Sequence, residues 1–227
     1  MQRYSRITTK MPREFCLLQG TGCAWKQCTF CDYYLDSGED PYAINAKCLS
    51  QVTGEFGVLD IINSGSCVEL DSRTIDLIKH VVSEKKIHTL WFEAHYMYKD
   101  RLGAFAENFP GISVRYRTGI ETFDSAQRNI WKKGVASHVT PAMIAESFQG
   151  VCLLFAVCGQ SRSAVSEDIR IALQNFAYFS INAFIENGKG LQRDEEMVQW
   201  FMEEWYPILK DRPGVEILLN NTDLGVG

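Results

Sequence analysis

Three cysteines in the run Gly20-Thr21-Gly22-Cys23-Ala24-Trp25-Lys26-Gln27-Cys28-Thr29-Phe30-Cys31-Asp32 form a C-x4-C-x2-C set near the start of a 227-residue chain. Soft thiolates this close together suit a metal centre, and ordinary packing gives no reason to gather them. Two kinds of centre compete. Structural zinc takes four ligands, usually as two short pairs. Here Cys28 and Cys31 make one pair and Cys23 a third ligand, no histidine precedes His80, and Cys16 alternates with Phe15 and Leu17 in a strand-like run that turns it toward a core or helix layer. Iron–sulfur clusters are held by cysteines in short loops of this kind. Three ligands on a four-iron cluster leave one iron open to bind something else, and an open position marks a catalytic centre.

Such a loop needs a scaffold, and the chain alternates short apolar runs with amphipathic stretches, the pattern of βαβ units. Predicted strands are 15–19, 58–63, 88–92, 112–118, 151–157, 179–185 and 216–220. Predicted helices are 73–85 behind a Ser72 cap, 124–133 ending at Gly134, 167–176 behind Ser166, and 195–206 behind Asp194. About six βα units with right-handed crossovers form an open doubly wound sheet or a partial barrel, and in both the chemistry collects at the C-terminal strand ends. That rule selects the cysteine loop, Asn63-Ser64-Gly65-Ser66, Glu93-Ala94-His95, Arg117-Thr118-Gly119-Ile120-Glu121, Gln160-Ser161-Arg162 and Glu186-Asn187.

Composition excludes some functions. A net charge of −5 and a pI near 5.4 argue against a nucleic-acid partner, since neutralised phosphates supply much of that affinity. Lys85-Lys86 and Lys132-Lys133 are too short to make a basic patch. No stretch approaches a membrane span and no secretory signal follows the basic N-terminus, so a cytoplasmic protein is expected. Of the eight cysteines, Cys48, Cys67, Cys152 and Cys158 are scattered; Cys152 and Cys158 lie in an apolar run, where free cysteine serves as a small hydrophobe.

A strand followed by a three-cysteine loop ending Cys28-Thr29-Phe30-Cys31 resembles the radical S-adenosylmethionine (radical SAM) enzymes. The resemblance implies an α/β fold, a partial (βα)6 TIM-like barrel, with residues 1–227 as a single domain. It implies that Cys23, Cys28 and Cys31 hold a [4Fe–4S] cluster whose fourth iron chelates SAM, with Phe30 against the adenine. The usual family spacing is C-x3-C-x2-C; the extra residue between Cys23 and Cys28 points to a divergent subgroup. Ser64, Gly65 and Ser66 fall where the family keeps a glycine-rich turn at the methionine amino group, small residues there letting main chain approach a ligand. Glu93 and His95 fall where relatives carry an E-x-R-P-E-like run, and Gly119-Ile120-Glu121-Thr122 resembles the G-[LI]-E-[ST] segment. By this resemblance Phe30, Ser64, Gly65, Ser66, Glu93 and Arg117 are cofactor contacts, and Glu93, His95 and Glu121 are candidate catalytic groups. It also implies reduction by flavodoxin or ferredoxin and hydrogen abstraction from the substrate by a 5′-deoxyadenosyl radical.

The brevity of the chain and its acidity favour a small-molecule substrate. Polar groups at the strand ends (Asp32, Asp36, His95, Arg117, Glu121, Gln160, Asn182) could read a base edge. Tyr33, Tyr34, Phe92 or Tyr96 could stack on it. Within the radical SAM family, the length and the segments Pro12–Leu18 and Thr21–Tyr33 are most similar to the queuine-salvage lyases. That similarity implies cleavage of a C–N bond in queuine to release the deazapurine preQ1, with Asp32, Tyr33, His95, Glu121 and Asn182 as substrate contacts.

Overall fold

The computed structural model describes residues 1–227, which divide into two compact units. The first comprises Met1–Lys26, Tyr33–Arg117 and Leu224–Gly227; the second comprises Gln27–Asp32 and Thr118–Asp223.

In the first unit, β1 (Tyr4–Ile7) runs antiparallel to β2 (Arg13–Leu18). Parallel pairing then continues from β2 to β3 (Val58–Asn63), β4 (Thr89–Glu93) and β5 (Ser113–Glu121). The register sets Leu18 beside Asn63 and Glu93 beside Arg117, so the polar strand ends line up. Helices α1 (Tyr42–Leu49), α2 (Ser72–Glu84) and α3 (Leu102–Ala106) complete this unit. The second unit holds the end of β5, then α4 (Ser125–Ile130), α5 (Pro141–Ala145), β6 (Gly150–Phe155), α6 (Arg162–Asn175), β7 (Tyr178–Ala183), α7 (Glu195–Glu204), α8 (Tyr206–Leu209) and β8 (Val215–Leu218). Here β6, β7 and β8 pair in parallel. Within each unit every strand neighbours the next in chain order. That is the order of a partial barrel; a doubly wound sheet reverses its order part way across.

Four expectations shift. β1 was not foreseen, because its four residues, Tyr-Ser-Arg-Ile, carry too little apolar pattern to read as a strand. Asp71, not Ser72, caps α2, its carboxylate accepting from Thr74 N at 3.0 Å. α6 starts at Arg162 behind Ser161, whose Oγ accepts from Ala164 N at 3.1 Å; the earlier start brings Val165 onto the buried face with Ile169 and Ala172. Ser166 instead accepts from Trp205 Nε1. Asp194 caps α7 as expected, accepting from Met197 N. Cys16 and Cys152 are buried in the core, but Cys158 is exposed, because the chain leaves β6 three residues before it. No helix is long and apolar enough to cross a membrane.

Asp168 on α6 is buried and accepts from Phe123 N at 2.7 Å, pinning the turn after β5. Burial pushes its pKa from 3.8 up to about 6. The folded state therefore holds this proton more tightly than the unfolded chain. The resulting stabilisation is complete below about pH 4 and lost as pH rises through about 6, a change of about 3 kcal/mol. Asp168→Asn keeps an oxygen for Phe123 N and removes the titration. Urea unfolding at pH 4.5 and 7.5 is expected to show a flatter pH dependence and higher stability at pH 7.5 for the variant; equal pH slopes would remove Asp168 as the source.

Candidate active site

The site residues on the first unit are organised by two carboxylates, one buried in the sheet and one in the turn that follows β3. Asp60, in the middle of β3, is 1 % exposed and accepts from Arg13 Nε at 2.8 Å. It also takes both Arg117 Nη atoms, at 2.9 and 2.8 Å. Burial alone would raise the Asp60 pKa, but the Arg117 and Arg13 guanidinium groups overcome it and hold the carboxyl below its ordinary value. Arg117 Nε lies 3.5 Å from Glu93 Oε2. The bidentate hold on Asp60 therefore fixes a cation beside the partly exposed Glu93 at the end of β4.

The second carboxylate, Glu69, accepts from Ser66 N at 2.6 Å, Ala24 N at 2.7 Å and Tyr98 Oη at 2.8 Å. Around it, Ser64 Oγ accepts from Gly20 N and Ser66 Oγ from His95 N. A Cβ at Gly65 would collide with the Gly22 carbonyl oxygen and meet Glu69 Oε2 at 2.5 Å. Gly65 is thus required by the cysteine loop itself, beside any need for close ligand approach. The Asn63 side-chain oxygen is buried there without a hydrogen-bond partner. His95 stacks on Trp25 of the cysteine loop, with ring centroids 5.5 Å apart. His95 Nδ1 accepts from Met97 N, which puts the proton of the neutral ring on Nε2.

On the second unit, Phe30, between Cys28 and Cys31, meets Trp131 edge-on at 5.7 Å. The loop is tied down by Thr29 N donating to Trp131 O and Asn187 Nδ2 donating to Phe30 O. Lys133 Nζ lies 5.6 Å over the Phe30 ring and 2.9 Å from Glu121 Oε1, both its charge and that of Glu121 being buried. Glu121 closes β5 with φ at 66°, a left-handed conformation that bulky residues adopt only where the surroundings hold them. A Cβ at Gly119 would lie 2.5 Å from Glu121 Oε1 and 3.2 Å from Lys133 Nζ, so the glycine makes room for this ion pair. The Asn182 oxygen in β7 and the Thr118 hydroxyl in β5 are buried without partners.

Along the chain, Cys23 belongs to the first unit and Cys28 and Cys31 to the second. Ser64, Gly65, Ser66 and His95 are gathered around Glu69 and Cys23's neighbours, while Phe30 and Glu121 are gathered around Lys133. Asp32 and Tyr33 join neither group, Tyr33 being 60 % exposed. Phe92 is fully buried against Phe105 and Phe109, so it belongs to the core and cannot stack on a ligand. Asp36 is paired with Arg3, and Gln160 binds the backbone of Leu154 and Val157. Asp60, Glu69 and Lys133 escaped sequence reasoning. Asp60 had a signal, a charge within an apolar strand, which burial makes tolerable only with partners. Glu69 had another, since Ser66-x-x-Glu69 has the spacing of a capping box, which the structure forms. Lys133 had none, for its partners lie on other elements.

The three loop cysteines are part-exposed, whereas Cys16, Cys48, Cys67 and Cys152 are buried. Lys26 N points at Cys23 Sγ, 3.4 Å away, the kind of N–H···S contact that supports a ligating sulfur. Three thiolates with no histidine near them in the sequence are one ligand short of a structural zinc site. Cluster thiolates bind separate irons, and three of them leave one iron open. The donor set therefore fits a cluster. The buried, unpartnered Asn63 oxygen beside the Ser64–Gly65–Ser66 turn fits a donor-bearing ligand such as the SAM amino group.

No protein-family model matches the chain, and no curated protein does. A solved structure does: queuine lyase from Clostridium spiroforme bound to SAM and queuine is 39% identical, with a TM-score of 0.94 over 100% of this chain and 99% of that one. The cobalamin-dependent S-adenosylmethionine radical enzyme OxsB, with aqua-cobalamin and S-adenosylmethionine bound, is 15% identical with a TM-score of 0.45, covering 89% of this chain and 31% of that one. That second likeness is too slight to support an argument.

Proposed function

Because the chain belongs to the queuine lyase family of radical SAM enzymes, we propose that it cleaves the C–N bond of queuine to release preQ1, 7-aminomethyl-7-deazaguanine. The observation that carries this reading is the match along the whole chain to a structure holding both SAM and queuine. In this reading residues 1–227 act as one catalytic domain in the cytoplasm, with reduced flavodoxin or ferredoxin as electron donor. Cys23, Cys28 and Cys31 hold a [4Fe–4S] cluster that, when bound and reduced, supplies a 5′-deoxyadenosyl radical from SAM.

The residues divide the remaining work. Phe30, backed by Trp131, offers an apolar face to the adenine, and Asn63 with the Ser64–Gly65–Ser66 backbone receives the methionine end. The Asp60–Arg117 pair positions Glu93 beside it. His95 presents a donor at Nε2, and Asn182 a buried oxygen that accepts a base N–H. Glu121, paired with Lys133, keeps a carboxylate at the strand end for the deazaguanine edge or the leaving amine. Asp32 and Tyr33 complete the substrate contacts in this proposal.

The test is anaerobic incubation of reconstituted protein with SAM, reductant and queuine, followed by mass spectrometry. Methionine and preQ1 are expected to appear together. SAM consumption with queuine recovered intact would sink the substrate assignment while leaving the family intact.

A further inference from the structure

We propose that Glu69 is a positioning residue for the cluster ligand Cys23, and that it is the device by which this chain accommodates a C-x4-C spacing. The inference rests on the reading that Cys23 is a ligand. Glu69 ends a short 3-10 turn, Cys67–Glu69, and its carboxylate collects three donors from three places in the chain. Ser66 N comes from its own turn, Ala24 N from the residue that follows Cys23, and Tyr98 Oη from the segment after β4. Its backbone carbonyl also receives Thr21 Oγ1. Tyr98 is buried, which together with its bond to Glu69 pushes the phenol up to about 12, so it remains a donor throughout the working pH range.

A loop one residue longer than needed to bridge two ligands has slack, and slack in a ligand loop costs affinity because the ligand must be ordered when the metal binds. Here the slack is removed at three of the four intervening residues and at the glycine before Cys23. Ala24 N is bound by Glu69. Trp25 is stacked on His95. Lys26 N–H turns back to Cys23 Sγ at 3.4 Å. Gly22 is held by the close approach of Gly65. Glu69 is the common support of these contacts, because it fixes both the Ser66 turn and the first peptide after the ligand. It also sets an anionic group one residue from Cys23, and negative charge near a cluster disfavours its reduction.

The test uses the full chain reconstituted with iron and sulfide under anaerobic conditions, then challenged with an iron chelator. Glu69→Ala is expected to release iron about 10-fold faster than wild type or more, and Tyr98→Phe to fall between them. Glu69→Gln is expected to raise the reduction potential of the cluster, since it removes the charge. Thr74→Ala, which loses buried hydrogen bonds to Asn45 and Asp71 on the same unit, serves as the control for general destabilisation; it is expected to melt earlier yet hold iron like wild type. Wild-type iron release in both Glu69→Ala and Tyr98→Phe overturns the inference and leaves Cys23 a ligand. Wild-type protein that takes up no iron overturns the ligand reading along with it.

Discussion

Cys28→Ala protein, reconstituted with iron and sulfide, is expected to be colourless, to hold little iron and to leave SAM uncleaved. Loss of an outer-shell partner already costs 10–100-fold in metal affinity or activity, so loss of one of only three ligands should exceed about 100-fold. The substitution is expected to spare the fold. Cys28 is part-exposed, and the backbone contacts around it, from Cys31 N to Cys28 O and from Thr29 N to Trp131 O, do not use its side chain. Thermal unfolding of the unreconstituted variant should therefore match that of unreconstituted wild type. Cys158→Ala is the matched control, an exposed thiol whose sulfur lies 3.5 Å from the Arg193 carbonyl oxygen, and it should retain colour and turnover. A brown, active Cys28→Ala protein would falsify the ligand assignment. A colourless Cys158→Ala protein would do so as well.

Asp60→Ala is expected to be the most damaging substitution outside the cysteine loop. It strips two buried guanidinium groups of the carboxylate that compensates them. Breaking a buried ion pair by removing one partner costs about 3–5 kcal/mol, and for a chain of this size about 10 °C or more in melting temperature. Asp60→Asn should be milder in stability, since the amide oxygen still accepts one bond. It would nevertheless leave Arg117 an unneutralised cation free to pair more closely with Glu93, now 3.5 Å away. Its expected signature is therefore an altered KM for SAM or substrate at temperatures where the protein is fully folded. Calorimetry on both variants with steady-state kinetics on Asp60→Asn separates the two effects. An Asp60→Ala protein melting within about 2 °C of wild type would mean that the arginines find other partners.

The central role of Asp60 shows where sequence reading stops. Its bonds to Arg13 and Arg117 span 47 and 57 residues, and those from Glu69 to Ala24 and Tyr98 span 45 and 29. Nothing local records such separations. Arg117 could be placed at a strand end from its pattern, but that its guanidinium reaches past β4 to Asp60 on β3 follows only from the β3–β4–β5 register. Phe92 is instructive in the opposite sense. Its strand was predicted, and a one-residue alternation decides whether an aromatic faces ligand or core; here it faces Phe105 and Phe109.

What the amino-acid sequence determined by itself were the features whose information is local. The cysteine spacing, the strand-then-loop order, the Asp194 cap and the glycines of the Ser64–Ser66 and Gly119–Glu121 segments are readable because ligand loops, caps and turns are built from neighbours in the chain. They sufficed for the radical SAM resemblance, which in turn implied the partial barrel. The tertiary structure decided which side chains stand behind those features: Asp60 behind Arg117, Lys133 behind Glu121, Glu69 behind the cysteine loop. A buried charge is stable only against a partner, and that partner is chosen by strand register and packing across the fold.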